Sequence, residues 1–153
     1  MQTDNVTKWD MTDTLAAIVD LAWSTFIGSD IVQVDDRDLG ADVICSSIAI
    51  SGPCNATVLF FAQPELARLG ASTVLEIPLD ELSDADVHDV MGELVNIVGG
   101  NLKGAVSDGD EVWGLSLPVV SNAMQHAPGG RIGSTVCFLA ADGAIGCQIL
   151  EHS

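Results

Sequence analysis

Twice in this sequence an apolar, β-branched run meets a second one across a tight-turn signal, and this limits the possible folds more than any other feature. Residues 43–50 and 56–62 flank Ser51-Gly52-Pro53, and residues 134–141 and 144–150 flank Asp142-Gly143. Runs of this length bounded by Gly, Pro and Asp read as strands, and so short a turn makes the second strand antiparallel to the first. Residues 31–34 and 112–117 are shorter strand candidates. The acidic stretch 35–42 and the segment 122–131, which carries Pro128-Gly129-Gly130, read as loops.

Helical spacing appears in three places. Leu15, Ile18, Val19, Ala22 and Phe26 form one apolar stripe, with Thr12 or Asp13 able to cap its start and Gly28 to stop it. Pro64 opens a short helix over 65–69, with Gly70 as its expected stop. A long helix is expected over 83–106, with Ser83 as N-cap and Asp84, Asp86 and Asp89 complementing the helix dipole. The expected fold is therefore α+β. One domain over residues 1–153 would pack a mainly antiparallel sheet against the long helix and the N-terminal helix. Aromatic residues are only 5% of the chain and there is no Tyr, so its core must be built from Val, Ile, Leu and Ala.

Charge narrows the partners. Twenty-two Asp and Glu face five Lys and Arg, a formal net charge of −17. Such a surface repels nucleic-acid phosphates and anionic lipid, which argues against both as partners. The same charge suits either plain solubility or a basic partner. The polar opening residues do not read as a secretory leader, and no apolar run approaches the roughly 20 residues of a membrane span. Cys45, Cys137 and Cys147 lie inside apolar runs and the four cysteines form no CxxC pair, which suits a reducing compartment and no zinc. A cytoplasmic location follows as the expectation.

On the long helix, Val87, Val90, Met91, Leu94, Val98, Asn101, Leu102 and Ala105 fall on one side, the expected core face. Glu93 and Asn96, at i and i+3, share the opposite side with Asp89, Gly100 and Lys103. An acid and an amide so placed also describe an ordinary solvated face. Gly99 and Gly100 are less ordinary, since each costs about 1 kcal/mol relative to Ala inside a helix. Gly100 leaves the helix bare one turn beyond Asn96. The alternative is that the glycine pair serves only close packing within the domain.

The stretch Asp89-Val-Met-Gly-Glu93-Leu-Val-Asn96-Ile-Val-Gly-Gly-Asn-Leu-Lys103 resembles the active-site helix of the CheX and CheC chemotaxis phosphatases, with its ExxN, Gly-Asn and Lys signature. Trp113-Gly-Leu-Ser-Leu-Pro118 is similar to the family's strand after that helix. Cys137-Phe-Leu-Ala-Ala-Asp-Gly143 is similar to its closing hairpin, and residues 14–28 to its opening helix. Some members carry a second ExxN on the first helix. Residues 12–24 here have none, which favours the single-site, CheX-like branch.

That resemblance implies a phosphatase acting on the aspartyl-phosphate of a response-regulator receiver domain. Asn96 would position the attacking water and Glu93 would dock to the partner's lysine, with Gly100, Lys103 and Asp89 as further docking positions. It implies no cofactor of the protein's own, Mg²⁺ carried by the phosphorylated partner, and a homodimer. The alternative is a non-catalytic receiver-binding or assembly module of the same fold.

Other constellations carry less. Asp84, Asp86, His88 and Asp89 fan around the helix axis and do not converge as metal ligands. Residues 99–104 lack the Lys-Ser/Thr step of a phosphate-binding loop. His126 has no evident nucleophile beside it, and Trp9, Trp23 and Trp113 read as packing residues.

Overall fold

The turn at Gly52 is locked by its own neighbourhood: the Gly52 N–H donates to Asn55 Oδ1 at 3.1 Å. It joins β2 (Ile44–Ser51) to β3 (Asn55–Ala62). The second hairpin joins β6 (Arg131–Ala140) to β7 (Gly143–His152). Its loop is Ala141-Asp142, and Gly143 is the first residue of β7, at φ 152°, a conformation that L side chains rarely adopt. With β1 (Val32–Val34), β4 (Gly114–Leu115) and β5 (Val119–Ser121), these strands form one seven-stranded sheet. Its order is β1-β6-β7-β3-β2-β4, with β5 also on β2, and every pairing is antiparallel. The computed structural model describes residues 8–126 and 129–152; Pro128 of the Pro-Gly-Gly loop and residues 1–7 of the polar opening lie outside the described residues.

Alternation along the strands gives the sheet two unlike faces. Ile48, Ile50, Val58, Phe60, Val136, Phe138, Ile145 and Ile149 face the helices and form the main core. Cys45, Leu59, Phe61 and Leu150 face the other way, beneath Leu39, Val43 and Met124. Three helices cover the first face: α1 (Thr12–Phe26), α2 (Pro64–Leu75) and α3 (Asp84–Val106). The α+β fold with a mainly antiparallel sheet is therefore the one expected. Trp9 and Trp23 are fully buried in the core and Trp113 packs against it, edge-on to Trp9 at 6.1 Å.

Four local expectations need correction. Neither Thr12 nor Asp13 caps α1; the N-cap is Met11, whose N–H donates to Ser134 Oγ at 2.8 Å. Helix α2 does not stop at Gly70 but runs on to Leu75. A Cβ at Gly70 would lie 3.3 Å from Ile27 Cδ1, so this glycine serves packing against α1, and the left-handed stop falls on Glu76. The strand expected over 112–117 shrinks to Gly114–Leu115. Pairing resumes after Pro118, which has no N–H to give, as the unforeseen β5. On α3, Asn101 and Ala105 are exposed, whereas Gly92, Val95, Gly99 and Val106 are buried.

The three strand cysteines are buried, and all four are free thiols. Burial raises the pKa of Cys45, Cys137 and Cys147 above the ordinary 9.0, most strongly at Cys147, where the other two thiols add to the effect. Below that ordinary value the thiols are protonated in both the folded and unfolded chain, and stability is unaffected. Above it only the unfolded chain ionises, so stability falls as pH rises toward the folded values. The urea midpoint is expected to drop between about pH 8 and pH 10, and less steeply in a Cys147→Ala chain. A midpoint flat across that range contradicts this.

Candidate active site

Helix α3 begins at a complete capping box. Ser83 Oγ accepts from the Asp86 N–H at 3.1 Å, and Asp86 Oδ2 accepts from the Ser83 N–H at 2.9 Å. This fixes where the helix starts, and hence which residues fall on each face. Val87, Val90, Met91, Leu94, Val98 and Leu102 are buried, and the helix contacts α1, α2 and strands β2 to β5.

The two adjacent glycines do different things. A Cβ on Gly99 would stand 2.8 Å from Ile48 Cγ2 and 3.3 Å from Leu115 Cδ1, so Gly99 lets the helix lie directly on β2 and β4. A Cβ on Gly100 would meet nothing within 4 Å. The pair therefore divides: Gly99 serves close packing within the domain, and Gly100 leaves a bare stretch of helix. Gly92 also belongs to the packed side, against Pro118 and Val120.

Glu93 and Asp89 are exposed, and Asn96, Gly100 and Lys103 are half-buried, all on the side of α3 turned from the core. The side chains of Asp89, Glu93, Asn96 and Lys103 make no hydrogen bond or ion pair with the described residues. None of these polar groups is tied up by a partner among the described residues. Asn101, next to Gly100, is engaged; its Nδ2 donates to Ile97 O at 3.1 Å. The face thus offers a carboxylate, a carboxamide and an ammonium around a bare stretch of helix. Such a face can grip another protein and orient a small molecule by hydrogen bonds.

The remaining candidates are dispersed. Asp86 is used in the cap, and Asp84 lies 3.9 Å from the Arg68 guanidinium. His88 Nε2 lies 2.8 Å from Asn122 Oδ1. His126 is exposed. Among the described residues no group of three or more His, Cys, Asp or Glu is placed to hold a metal, and no helix is long and apolar enough to cross a membrane. Sequence reasoning missed Gln125, whose Nε2 donates to Cys45 O at 2.9 Å and Val119 O at 3.0 Å, tying the 122–126 loop to the sheet edge. A lone Gln in a loop carries no sequence signal for this.

Residues 44–139 match the family model of chemotaxis phosphatase CheX, a span that includes the whole of α3. The fold is similar to that of chemotaxis protein CheX from Vibrio vulnificus, with a TM-score of 0.77 and 16% identity over 95% of this chain and 99% of that one. It is similar to a CheX from Desulfovibrio desulfuricans, with a TM-score of 0.75 and 15% identity over 92% and 97%. It is also similar to the structure of a CheX–CheY–BeF3–Mg complex from Borrelia burgdorferi, with a TM-score of 0.68 and 13% identity over 92% and 97%. A search of curated proteins gave no match.

The contrast between the glycines is directly measurable. Gly99→Ala is expected to destabilise by about 1–3 kcal/mol through overpacking against the rigid Ile48 methyl, and Gly100→Ala to stabilise by up to about 1 kcal/mol. Thermal melts of the two variants decide it, and equal shifts of the same sign contradict the assignment.

Proposed function

The chain belongs to the CheX family of chemotaxis phosphatases, and from that premise we propose that it hydrolyses the aspartyl-phosphate of a response-regulator receiver domain docked on the outer face of α3. What supports this reading is the pairing of an unengaged acid and amide, Glu93 and Asn96, beside the bare surface at Gly100.

The chemistry asks little of the phosphatase beyond position. Water must attack phosphorus in line with the acyl-phosphate oxygen; the new P–O bond forms as the old one breaks. The electron pair stays on the receiver's aspartate, and the water's proton leaves with inorganic phosphate. Charge on the phosphoryl oxygens is neutralised by the Mg²⁺ and lysine that the receiver itself carries. Asn96 supplies what such a receiver lacks. Its Oδ1 accepts from the attacking water while its Nδ2 donates toward the phosphoryl group, and a neutral amide does both without repelling the anion.

Glu93 stands one turn before Asn96 and forms an ion pair with the receiver's lysine. That contact sets the depth and angle at which the helix docks. Lys103 and Asp89 border the contact, and Gly100 lets the receiver's backbone come close. The proposal retains a cytoplasmic protein that acts as a homodimer.

The roles separate kinetically. Against a phosphorylated receiver, Asn96→Ala is expected to lower kcat by at least about 100-fold, the range of a lost positioning or transition-state contact, with KM little changed. Glu93→Ala is expected chiefly to raise KM, so that added substrate restores part of the rate. Unchanged turnover by Asn96→Ala overturns the mechanism. Tight binding of the phosphorylated receiver without faster phosphate release makes the protein a receiver-binding module.

A further inference from the structure

We propose that residues 35–42 form a strap that opens locally at low ionic strength and closes over the sheet's second face once salt screens its carboxylates. The segment carries the chain from β1, at one edge of the sheet, across to β2. Four of its eight residues are acidic, Asp35, Asp36, Asp38 and Asp42, against the single base Arg37. All of it is exposed except Leu39, which packs on the buried cluster of Val43, Cys45, Leu59, Phe61 and Leu150. Asp38 Oδ1 accepts from the Gly40 N–H at 2.8 Å, and Gly40 stands at φ 87°, so a small self-contained turn presents Leu39.

The polar contacts that hold the strap down are long. Cys137 of β6 donates through Sγ to Asp36 Oδ1 at 3.6 Å and to Arg37 O at 3.7 Å, and a thiol is a weak donor. Gln63 Nε2 donates to Leu39 O at 3.5 Å. A segment anchored by one apolar side chain and long polar contacts opens at lower cost than the core. Charge acts against its closure. Arg37 Nε donates to the Asp35 carbonyl, and Arg37 makes no ion pair among the described residues. Asp42 shares one groove with Glu65 of α2 and Asp142 of the β6–β7 loop. It shares another with Asp84 and Arg68, whose guanidinium already lies 3.9 Å from Asp84. Repulsion among exposed charges acts over the screening length, roughly 30 Å at 0.01 M salt and about 3 Å at 1 M. The first couples every carboxylate around the strap; the second leaves each nearly alone.

Two thiols separate local from global opening. Cys137 lies beneath the strap, whereas Cys147 lies in the core on the helix side and is reached only when the domain unfolds. The native protein is labelled with iodoacetamide, an uncharged reagent, at about pH 8 in about 10 mM and 1 M NaCl. Each rate is divided by that of the same thiol in the urea-unfolded chain at the same salt. Cys137 is expected to label faster than Cys147 and to slow at least about fivefold between the two salts, with Cys147 slowing less. Leu39→Ala is expected to speed Cys137 labelling in 1 M NaCl at least about fivefold, with Cys147 unchanged. Asp35→Asn combined with Asp42→Asn is expected to bring the low-salt rate at Cys137 toward the high-salt one. A Cys137 rate that ignores salt, or Cys137 and Cys147 rates that fall in parallel, overturns the proposal. So does unchanged Cys137 labelling in Leu39→Ala. The strap lies across the sheet from α3, so either outcome leaves the phosphatase reading to its own test.

Discussion

The activity proposed for this protein depends on how α3 sits on the sheet at Gly99. Ile48, a buried β-branched residue on β2, occupies the space that a Cβ at position 99 would need. The close approach fixes the helix's rotation as well as its distance. With Gly92 and Gly99 turned inward, Glu93 and Gly100, each one residue further on, are carried about 100° away from the packed side. Asn96 falls between. The capping box at Ser83 holds the other end of the same helix, so its register cannot slip. An outward acid and amide are thus a consequence of inward glycines.

Much of this could be read in the sequence, for identifiable reasons. The paired β-branched runs and their turns announce two hairpins because the relevant physics is local. Ser83 likewise declares the start of α3, because its partner Asp86 is three residues away. What could not be read depends on distant residues. Gly70 looks like a helix stop until α1 is placed against it, with Ile27 where a side chain would go. Pro118 looks like the end of a strand, and nothing nearby says that β2 has room for another pairing beyond it. On α3, helical projection groups Asn101 and Ala105 with the core residues, yet both are exposed; Ala105 shares the angle of the buried Leu94 and Val98 but stands in the last turn of the helix, which projection does not take into account. Glycines are the least legible residues of all. Gly99 and Gly100 are indistinguishable in the sequence and opposite in the structure.

The strong negative charge takes on a definite meaning in this setting. Among the described residues three of the five basic residues are engaged in ion pairs: Lys8 with Asp108, Arg68 with Asp84 and Arg131 with Glu151. Lys103 is left to the outer face of α3. The chain therefore presents the proposed partner with a surface whose general field is repulsive and whose specific contacts are few. Such a surface would disfavour loose encounters with other anionic proteins and reward the one geometry in which Glu93 and Asn96 both find partners. Selectivity would then come from shape and a short list of contacts.

The central claim is that the outer face of α3 is a docking surface kept bare at Gly100. Replacing Gly100 with Leu and following both stability and phosphate release from a phosphorylated receiver tests it most directly. Because a Cβ there would have open space around it, with nothing within 4 Å, the fold should be as stable as wild type or more so. The bulk should nevertheless hold the receiver away from Asn96, so phosphate release should fall at least about tenfold. A stable Gly100→Leu protein that releases phosphate as fast as wild type would contradict the account.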